Sequence, residues 1–272
     1  VLSGFFCYNG TIRKGVLLMD ELKIIAVDQS NIDQEHICCA ITDKKGETCV
    51  SSKKAWMQER FPDGLVFRKL NVRGKVFIEY IPAEHAWIPI LAEQYMHINC
   101  LWVSGKYKGQ GYSDQLLNQC IDDAKKAGKS GLTALSSAKK KPFLSDPGYL
   151  KHRGFKTADT ADPFYELLYL PFSDDAPVPA FKDCVKQERI PEDGMVIYYS
   201  SQCPHTAKYV PLLQKIAESH SLPLSVHKIQ TTEQAQNAPA PFTAFSLFYQ
   251  GRFITNEILS EKKFEKFIEQ NF

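Results

Sequence analysis

Ile98-Asn99-Cys100-Leu101-Trp102-Val103-Ser104-Gly105-Lys106-Tyr107-Lys108-Gly109-Gln110-Gly111-Tyr112-Ser113, with the helix that it opens, decides how the rest of the chain is read. Leu101 to Val103 is apolar and predicts a buried strand. Gly105 to Ser113 is glycine-rich and basic. From Asp114 onward, Leu116, Leu117, Cys120, Ile121 and Ala124 recur at helical spacing on one face. A strand, a glycine loop and a helix start, in that order, make an anion site. The first-turn N–H groups have no intrahelical partner, and the macrodipole places partial positive charge on them. Gly109 and Gly111 remove the side chains that would hold a phosphate away, and Lys106 and Lys108 add positive charge. A tight turn with two glycines has the same local features, so the surrounding elements must decide between the two.

The 272 residues suffice for one large or two modest domains, either with a real core. Lys plus Arg number 33 against 31 for Asp plus Glu, with no long run of one sign, which argues against an electrostatic nucleic-acid binder. No apolar run reaches membrane-spanning length, and no secretory leader is evident. The eight cysteines (7, 38, 39, 49, 100, 120, 184 and 203) show no paired spacing of the kind a disulfide framework or zinc knuckle requires. They read as reduced, mostly buried thiols of a cytoplasmic protein, and no metal site is expected.

Residues 1–20 precede the first predicted element. Those up to 18, ahead of Met19, read either as an N-terminal extension or as translated upstream sequence, since Lys14-Gly15-Val16 can be encoded as a purine-rich element before a Met codon. Leu22 to Val27 predicts a first strand, and Asp28 to Ile41 a helix with Ile32, His36, Ile37 and Ala40 on one side. Ser51 or Ser52 is the expected N-cap of a second helix carrying Ala55, Trp56 and Phe61. Leu65–Leu70 and Lys75–Ile81 predict a hairpin around Asn71-Val72-Arg73-Gly74. Strand Gly131–Ser136, a short helix ending near Gly154-Phe155 and an alternating strand Phe164–Leu170 complete the order βααβββαβαββ over residues 21–172. Residues 173–192, with Pro177, Pro179 and Pro191, read as a linker. Beyond it come strand Met195–Tyr199, a helix after Ser200-Ser201-Gln202-Cys203-Pro204-His205-Thr206, strand Leu224–Ile229, a hairpin Thr243–Tyr249/Phe253–Ile258, and a last helix capped by Ser260.

Lys108-Gly109-Gln110-Gly111-Tyr112-Ser113 resembles the coenzyme A signature Gln/Arg-x-x-Gly-x-Gly/Ala of the GNAT N-acetyltransferase superfamily, with Leu101, Val103, Tyr107, Leu116 and Leu117 where that pattern puts apolar residues. Lys108 stands in place of Arg or Gln, keeping the charge without the planar fork, and Ser113 in place of Gly or Ala, keeping the small volume. The element order matches the same family. Residues 193–272 resemble a small thioredoxin-like fold, with Pro211 at the spacing of the helix-kinking proline and Pro239 or Pro241 as the expected cis-proline. The combination is similar to the YoaP-like bacterial acetyltransferases. The implied fold class is α/β (α+β): a mixed-sheet GNAT domain followed by a small thioredoxin-like domain.

That resemblance implies acetyl-CoA as co-substrate, with Leu101, Trp102, Val103, Lys108, Gly109, Gln110, Gly111, Tyr112 and Ser113 as its binding residues. It also implies a backbone N–H near Val103 for the oxyanion. The acceptor would be a small-molecule or peptide amine. An alkyl amine has a pKa near ~10 and must lose a proton before it attacks. Glu79, flanked by apolar residues, and Glu84, beside His85, are the expected bases, each with a plain solvent-facing carboxylate as the alternative. The family's usual tyrosine proton donor falls here at Leu150, so the neighbouring Tyr149 is expected in that role, with Ser145 or solvent as alternatives. Lys139 to Lys141 would reach the ribose phosphate or form a solvated cluster. Trp56, Trp87 and Tyr95 would shape an acceptor pocket or fill the core. Cys203, at a helix start with Thr206 in place of a second cysteine, leaves a monothiol redox role, or a thioredoxin-like domain used only for docking or for shaping the acceptor cleft. Two other readings therefore stand beside the enzyme: a thiol redox protein using Cys203, and a non-catalytic coenzyme A-binding module.

Overall fold

The computed structural model describes residues 22–37 and 40–272, so the expected extension over residues 1–18 lies outside the described residues. Strand β1 (Ile24–Val27) is followed by turns, not by the helix expected over 28–41. Ser30 N–H donates to Asp28 Oδ1 as at a helix start, and the N–H groups of Ile32 and Glu35 reach the carbonyls of Asp28 and Asn31, but these single turns are not continued into a helix. Ile32 and Ile37 are nonetheless fully buried. Helix α1 (Cys49–Arg60) is not capped by Ser51 or Ser52. Asp43 reaches its first turn instead, accepting from the N–H groups of Val50 at 2.6 Å and Ser51 at 3.0 Å.

Strands β2 (Val66–Leu70) and β3 (Val76–Pro82) form the expected hairpin. The two-residue β4 (Ile90–Leu91) leads into the long β5 (Tyr95–Val103), and then come α2 (Tyr112–Lys126), β6 (Gly131–Ser137), α3 (Pro147–His152), β7 (Lys156–Ala161) and β8 (Tyr165–Pro171). The main sheet has the order β1-β2-β3-β5-β6-β8-β7, antiparallel except where β5 runs parallel to β6. Helix α2 buries Leu116, Leu117, Cys120 and Ala124 against it, the stripe read from the sequence. Asp123 fixes the same helix to the sheet: its Oδ2 accepts from Tyr80 Oη at 2.5 Å and Arg68 Nη2 at 2.6 Å.

The stretch 173–192 is not a loose tether. Its β9 (Ala180–Phe181) pairs with β4, Phe181 is buried, and Tyr95 Oη donates to the Pro177 carbonyl at 2.5 Å. The C-terminal unit holds β10 (Met195–Tyr199), α4 (Thr206–Ser219), β11 (Leu224–Lys228), α5 (Thr232–Gln236), β12 (Phe245–Tyr249), β13 (Arg252–Thr255) and α6 (Glu261–Asn271). Its sheet order is β11-β10-β12-β13, with β10 parallel to β11 and antiparallel to β12. Pro211 lies inside α4 as expected. The cis peptide bond is Asp162–Pro163, so neither Pro239 nor Pro241 is the cis-proline the sequence suggested. Helix α5 carries no sequence signal, being a single short polar segment without periodicity.

The two units share a core: Ile229, Ala235 and Ala238 pack in one cluster with Trp56, Trp87 and Ile88. Polar contacts reinforce it. Thr243 Oγ1 donates to the Trp87 carbonyl at 2.5 Å, Gln236 Nε2 to the Glu84 carbonyl at 2.9 Å, and Asn256 Nδ2 to the Pro142 carbonyl at 3.1 Å. Among the described residues no helix is long and apolar enough to cross a membrane.

Candidate active site

The central strand is split by its own register. Glu79 of β3 faces Cys100, but the next residue, Tyr80, faces Ile98, so Asn99 is an extra residue bulging from β5. Parallel pairing between β5 and β6 runs from Tyr95↔Gly131 to Ile98↔Ala134 and stops there. Beyond the bulge β5 continues along β3 to Val103 while its other edge opens. Ser104 N–H bonds to the Lys75 carbonyl on the β3 side, so alternation turns the N–H groups of Leu101 and Val103 toward the open edge.

The glycine loop stands at the end of that edge. Gly109 (φ +73°) and Gly111 (φ +80°) are both left-handed, a backbone that side-chain-bearing residues adopt only with strain. Gly111 is the N-cap of α2 and supplies no side-chain cap. The N–H groups of Asp114 and Gln115 fold back to its carbonyl, which leaves those of Tyr112 and Ser113 pointing out of the helix start. An open cleft of about 620 Å³ joins this loop to the split strand. Leu101, Trp102, Val103, Lys108, Gly109 and Ser113 line it, and Trp102 is 46% exposed there. Gln110, Gly111 and Tyr112 do not line this cleft: Gln110 turns its amide to the Lys106 carbonyl, and Tyr112 packs against Tyr107. Lys140 and Lys141 border the opposite wall, Lys140 paired with Asp146 at 2.6 Å and Lys141 over the Phe164 ring.

A second, smaller cavity lies on the far side of the split. His97, Asn99, Leu135 and Ser145 line it from the first unit, and Gln202, Phe242 and Thr243 from the second. Phe143, Leu144 and Ser145 border both cavities, so the two meet at that loop. Phe143 is itself left-handed (φ +66°), held there with its ring 6.4 Å from Phe242 while Asn256 grips the preceding carbonyl. His97 is buried, with Nδ1 3.0 Å from Thr133 Oγ1, and burial pushes its pKa down to about 3, so the ring is neutral.

The expected bases are placed elsewhere. Glu79 is 2% exposed and lines neither cavity: Lys53 Nζ lies 2.7 Å from one carboxylate oxygen, and Asn99 Nδ2 donates to the other at 3.0 Å. Its apolar neighbours foretell the burial but not the lysine, which arrives from α1 and also stacks on Trp56 at 4.0 Å. Glu84 sits on a surface turn paired with Lys129, also outside both cavities. Tyr149 does line the larger cleft. Its hydroxyl donates to Asp114 Oδ1 at 2.9 Å, and burial together with that carboxylate pushes its pKa up. Ser145, the alternative donor, faces both cavities. Trp87 lines the smaller cavity and meets Trp56 edge-on at 5.4 Å, whereas Tyr95 is core. Cys203 is partly buried three residues ahead of α4, next to Gln202. Thr206, in the second-cysteine position, is fully buried and donates to the Ser200 carbonyl at 2.7 Å. Asn99, Lys53, Gln202 and Phe242 were not among the residues expected from the sequence. Asn99 alone carries a signal there, as a polar residue inside the apolar central strand.

Comparison with known proteins adds family relations to this geometry. Residues 87–166 match the model of the acetyltransferase (GNAT) domain, and residues 223–266 the model described as YoaP-like. The chain is 44% identical over 244 residues, 90% of its length, to the uncharacterized N-acetyltransferase YoaP of Bacillus subtilis (strain 168), of which 97% is covered. Solved structures similar to part of the chain include the GNAT family N-acetyltransferase YhbS of Escherichia coli in complex with CoA. That match has 14% identity, 60% of this chain and 90% of that one covered, and TM-score 0.38. A GNAT family acetyltransferase of Brucella melitensis in complex with acetyl-CoA matches at 15% identity, covering 57% and 91%, with TM-score 0.36.

Proposed function

The chain belongs to the GNAT N-acetyltransferases with a YoaP-like C-terminal part, and from that premise we propose that it moves an acetyl group from acetyl-CoA directly to a primary amine at the split between β5 and β6. One observation carries this reading: the glycine loop, the open edge of β5 and the loop 143–145 border one continuous cleft. The diphosphate of the cofactor sits against the N–H groups at the start of α2, with Lys108 beside it. Its pantetheine arm runs along the open edge of β5. The N–H of Leu101 or Val103 donates to the thioester oxygen, more strongly as that oxygen becomes an alkoxide.

The neutral amine nitrogen attacks the thioester carbon, the C–S bond breaks, and the amine's proton leaves to solvent. Ser145 and Tyr149 both line the cleft, and we assign to one of them the proton given to the departing thiolate; Tyr149 Oη donates to Asp114 Oδ1. The one carboxylate lining either cavity is Asp146, which is occupied by Lys140 and by the first turn of α3. Amine deprotonation is therefore assigned to burial of the amine and to water. We read the C-terminal unit as a thioredoxin-like scaffold used for shape, on its strand order and on the buried Thr206. The test is release of free CoA thiol from acetyl-CoA, followed together with the mass of the amine product. Amine-dependent release with a product heavier by one acetyl group supports the reading. Tight acetyl-CoA binding without any acetylated amine across a broad panel contradicts it.

A further inference from the structure

Phe143 holds a backbone that a bulky residue adopts only when its surroundings compel it. Its φ is +66°, in the left-handed region, and the residue is 42% exposed, so its own burial does not account for that conformation. Two anchors do. Ser145 N–H donates to the Leu135 carbonyl at 3.2 Å, and Ser136 Oγ to the Ser145 carbonyl at 2.8 Å, which fastens one end of the loop to β6. At the other end the buried Asn256, just past β13, donates from Nδ2 to the Pro142 carbonyl at 3.1 Å, and Phe242 sets its ring 6.4 Å from that of Phe143. The first anchor belongs to the main sheet and the second wholly to the C-terminal unit. Only Phe143 and Leu144 lie between them, and the strain collects at Phe143.

The strained segment is a wall of the larger cleft: Pro142, Phe143, Leu144 and Ser145 all line it, whereas Asn256 and Phe242 do not. A left-handed residue with a side chain is disfavoured by a factor of roughly ten against its ordinary conformations. Released from Asn256, position 143 would therefore spend most of its time at negative φ, with the Phe143 ring and the Pro142 carbonyl re-aimed. A ligand that needs the strained wall would then meet it in a minor fraction of the molecules, and its apparent affinity would fall by that fraction. With Asn256 in place the wall is set before any ligand arrives.

We propose that Asn256 and Phe242 are positioning residues for the cofactor site: they hold Phe143 left-handed, so that the C-terminal unit keeps the wall 142–145 in the shape that receives acetyl-CoA. This rests on the acetyl-CoA assignment above. The C-terminal unit then sets the cofactor affinity of the first unit through this loop.

The experiment compares full-chain Asn256→Ala and Phe242→Leu, each alone and combined with Phe143→Gly. Calorimetry reads the Kd of acetyl-CoA, thiol release reads turnover, and the three-bond HN–Hα coupling of residue 143 reads its φ. Asn256→Ala is expected to raise Kd about tenfold while kcat at saturating acetyl-CoA stays within about threefold, because bound cofactor selects the strained wall again. Adding Phe143→Gly lets position 143 take positive φ without strain and is expected to bring Kd back to within about threefold of the parent. A residue that only stabilised the fold would gain nothing from the loss of that ring. Phe242→Leu is the milder change, expected to raise Kd about threefold, and it carries the same comparison where Asn256→Ala does not fold. Unchanged Kd in both variants, a raised Kd that glycine does not restore, or a Phe143 that keeps positive φ without Asn256 overturns the proposal while leaving acetyl transfer standing. Affinity that falls and is restored as expected, in a protein that acetylates no amine of a broad panel, supports the loop and overturns the acetyl-transfer reading. A parent protein that binds no acetyl-CoA overturns both.

Discussion

Glu79→Gln separates a structural carboxylate from a catalytic one. Glu79 and Lys53 are 3% and 2% exposed at their side chains and 2.7 Å apart, so removing one charge strands the other in the core. Breaking a buried pair from one side costs about 3–5 kcal/mol, whereas replacing both members by neutral groups is close to neutral. For a chain of this size each kcal/mol moves Tm by roughly 2–4 °C, which gives a fall of about 6–20 °C for Glu79→Gln. Lys53→Met should cost a similar amount. The double variant should recover most of the loss, because the methionine packs against Trp56 and the introduced amide oxygen still accepts from Asn99. Thermal unfolding followed by circular dichroism reads the stability, and thiol release at saturating acetyl-CoA reads the turnover. The double variant is expected to keep kcat within about tenfold of the parent, well inside the ~10²–10⁴ that loss of a general base costs. The reasoning is refuted if Glu79→Gln unfolds at the parent's temperature yet loses turnover by that larger factor.

Three further outcomes follow from the same geometry. Gly111→Ala meets open space but must hold φ near +80°, a strain of about 1–2 kcal/mol, so the protein should fold while its acetyl-CoA affinity, read by calorimetry, falls by roughly tenfold. His97 has its pKa depressed by burial from 6.5 to about 3. Between those values the unfolded chain binds a proton that the folded one refuses, so its contribution is complete above pH ~6.5 and is lost as pH falls toward ~3, by up to roughly 4 kcal/mol. His36 and His205, also lowered by burial, add with the same sign, and His97→Asn should flatten that acid limb in denaturant titrations run at a series of pH values. Ser145→Ala and Tyr149→Phe each remove a hydroxyl from the wall of the cofactor-side cleft. The one that donates to the thiolate should lower kcat with little change in acetyl-CoA Kd, and a steady state slower by about tenfold would identify it.

Much of the fold is legible in the sequence because its signals are local. The stripe Leu116, Leu117, Cys120 and Ala124 fixes α2 and its buried face, and the turn 71–74 fixes a hairpin. Of the helix expected at 28–41, the described residues form turns, because burial of Ile32 and Ile37 five residues apart also suits a compact turn and the backbone bonds at Ile32 and Glu35 are not continued. The left-handed glycine loop at the start of α2 is readable from the glycine pattern. The smaller cavity and the ion pair behind it are not, because they are assembled from distant pieces: Lys53 reaches Glu79 from α1, and Gln202 and Phe242 arrive from the other unit, far along the chain from Asn99. Glu79 illustrates the gap. Its apolar neighbours predict burial, and only the three-dimensional partner decides whether that carboxylate is a base or half of an ion pair.

A crystal structure of the full chain with acetyl-CoA tests the central assignment most directly. The account predicts the diphosphate within about 3 Å of the backbone N–H groups at the start of α2 and the thioester oxygen at the N–H of Leu101 or Val103, with Asn99 across the split. A cofactor lodged elsewhere, or an empty groove at saturating concentration, would contradict it.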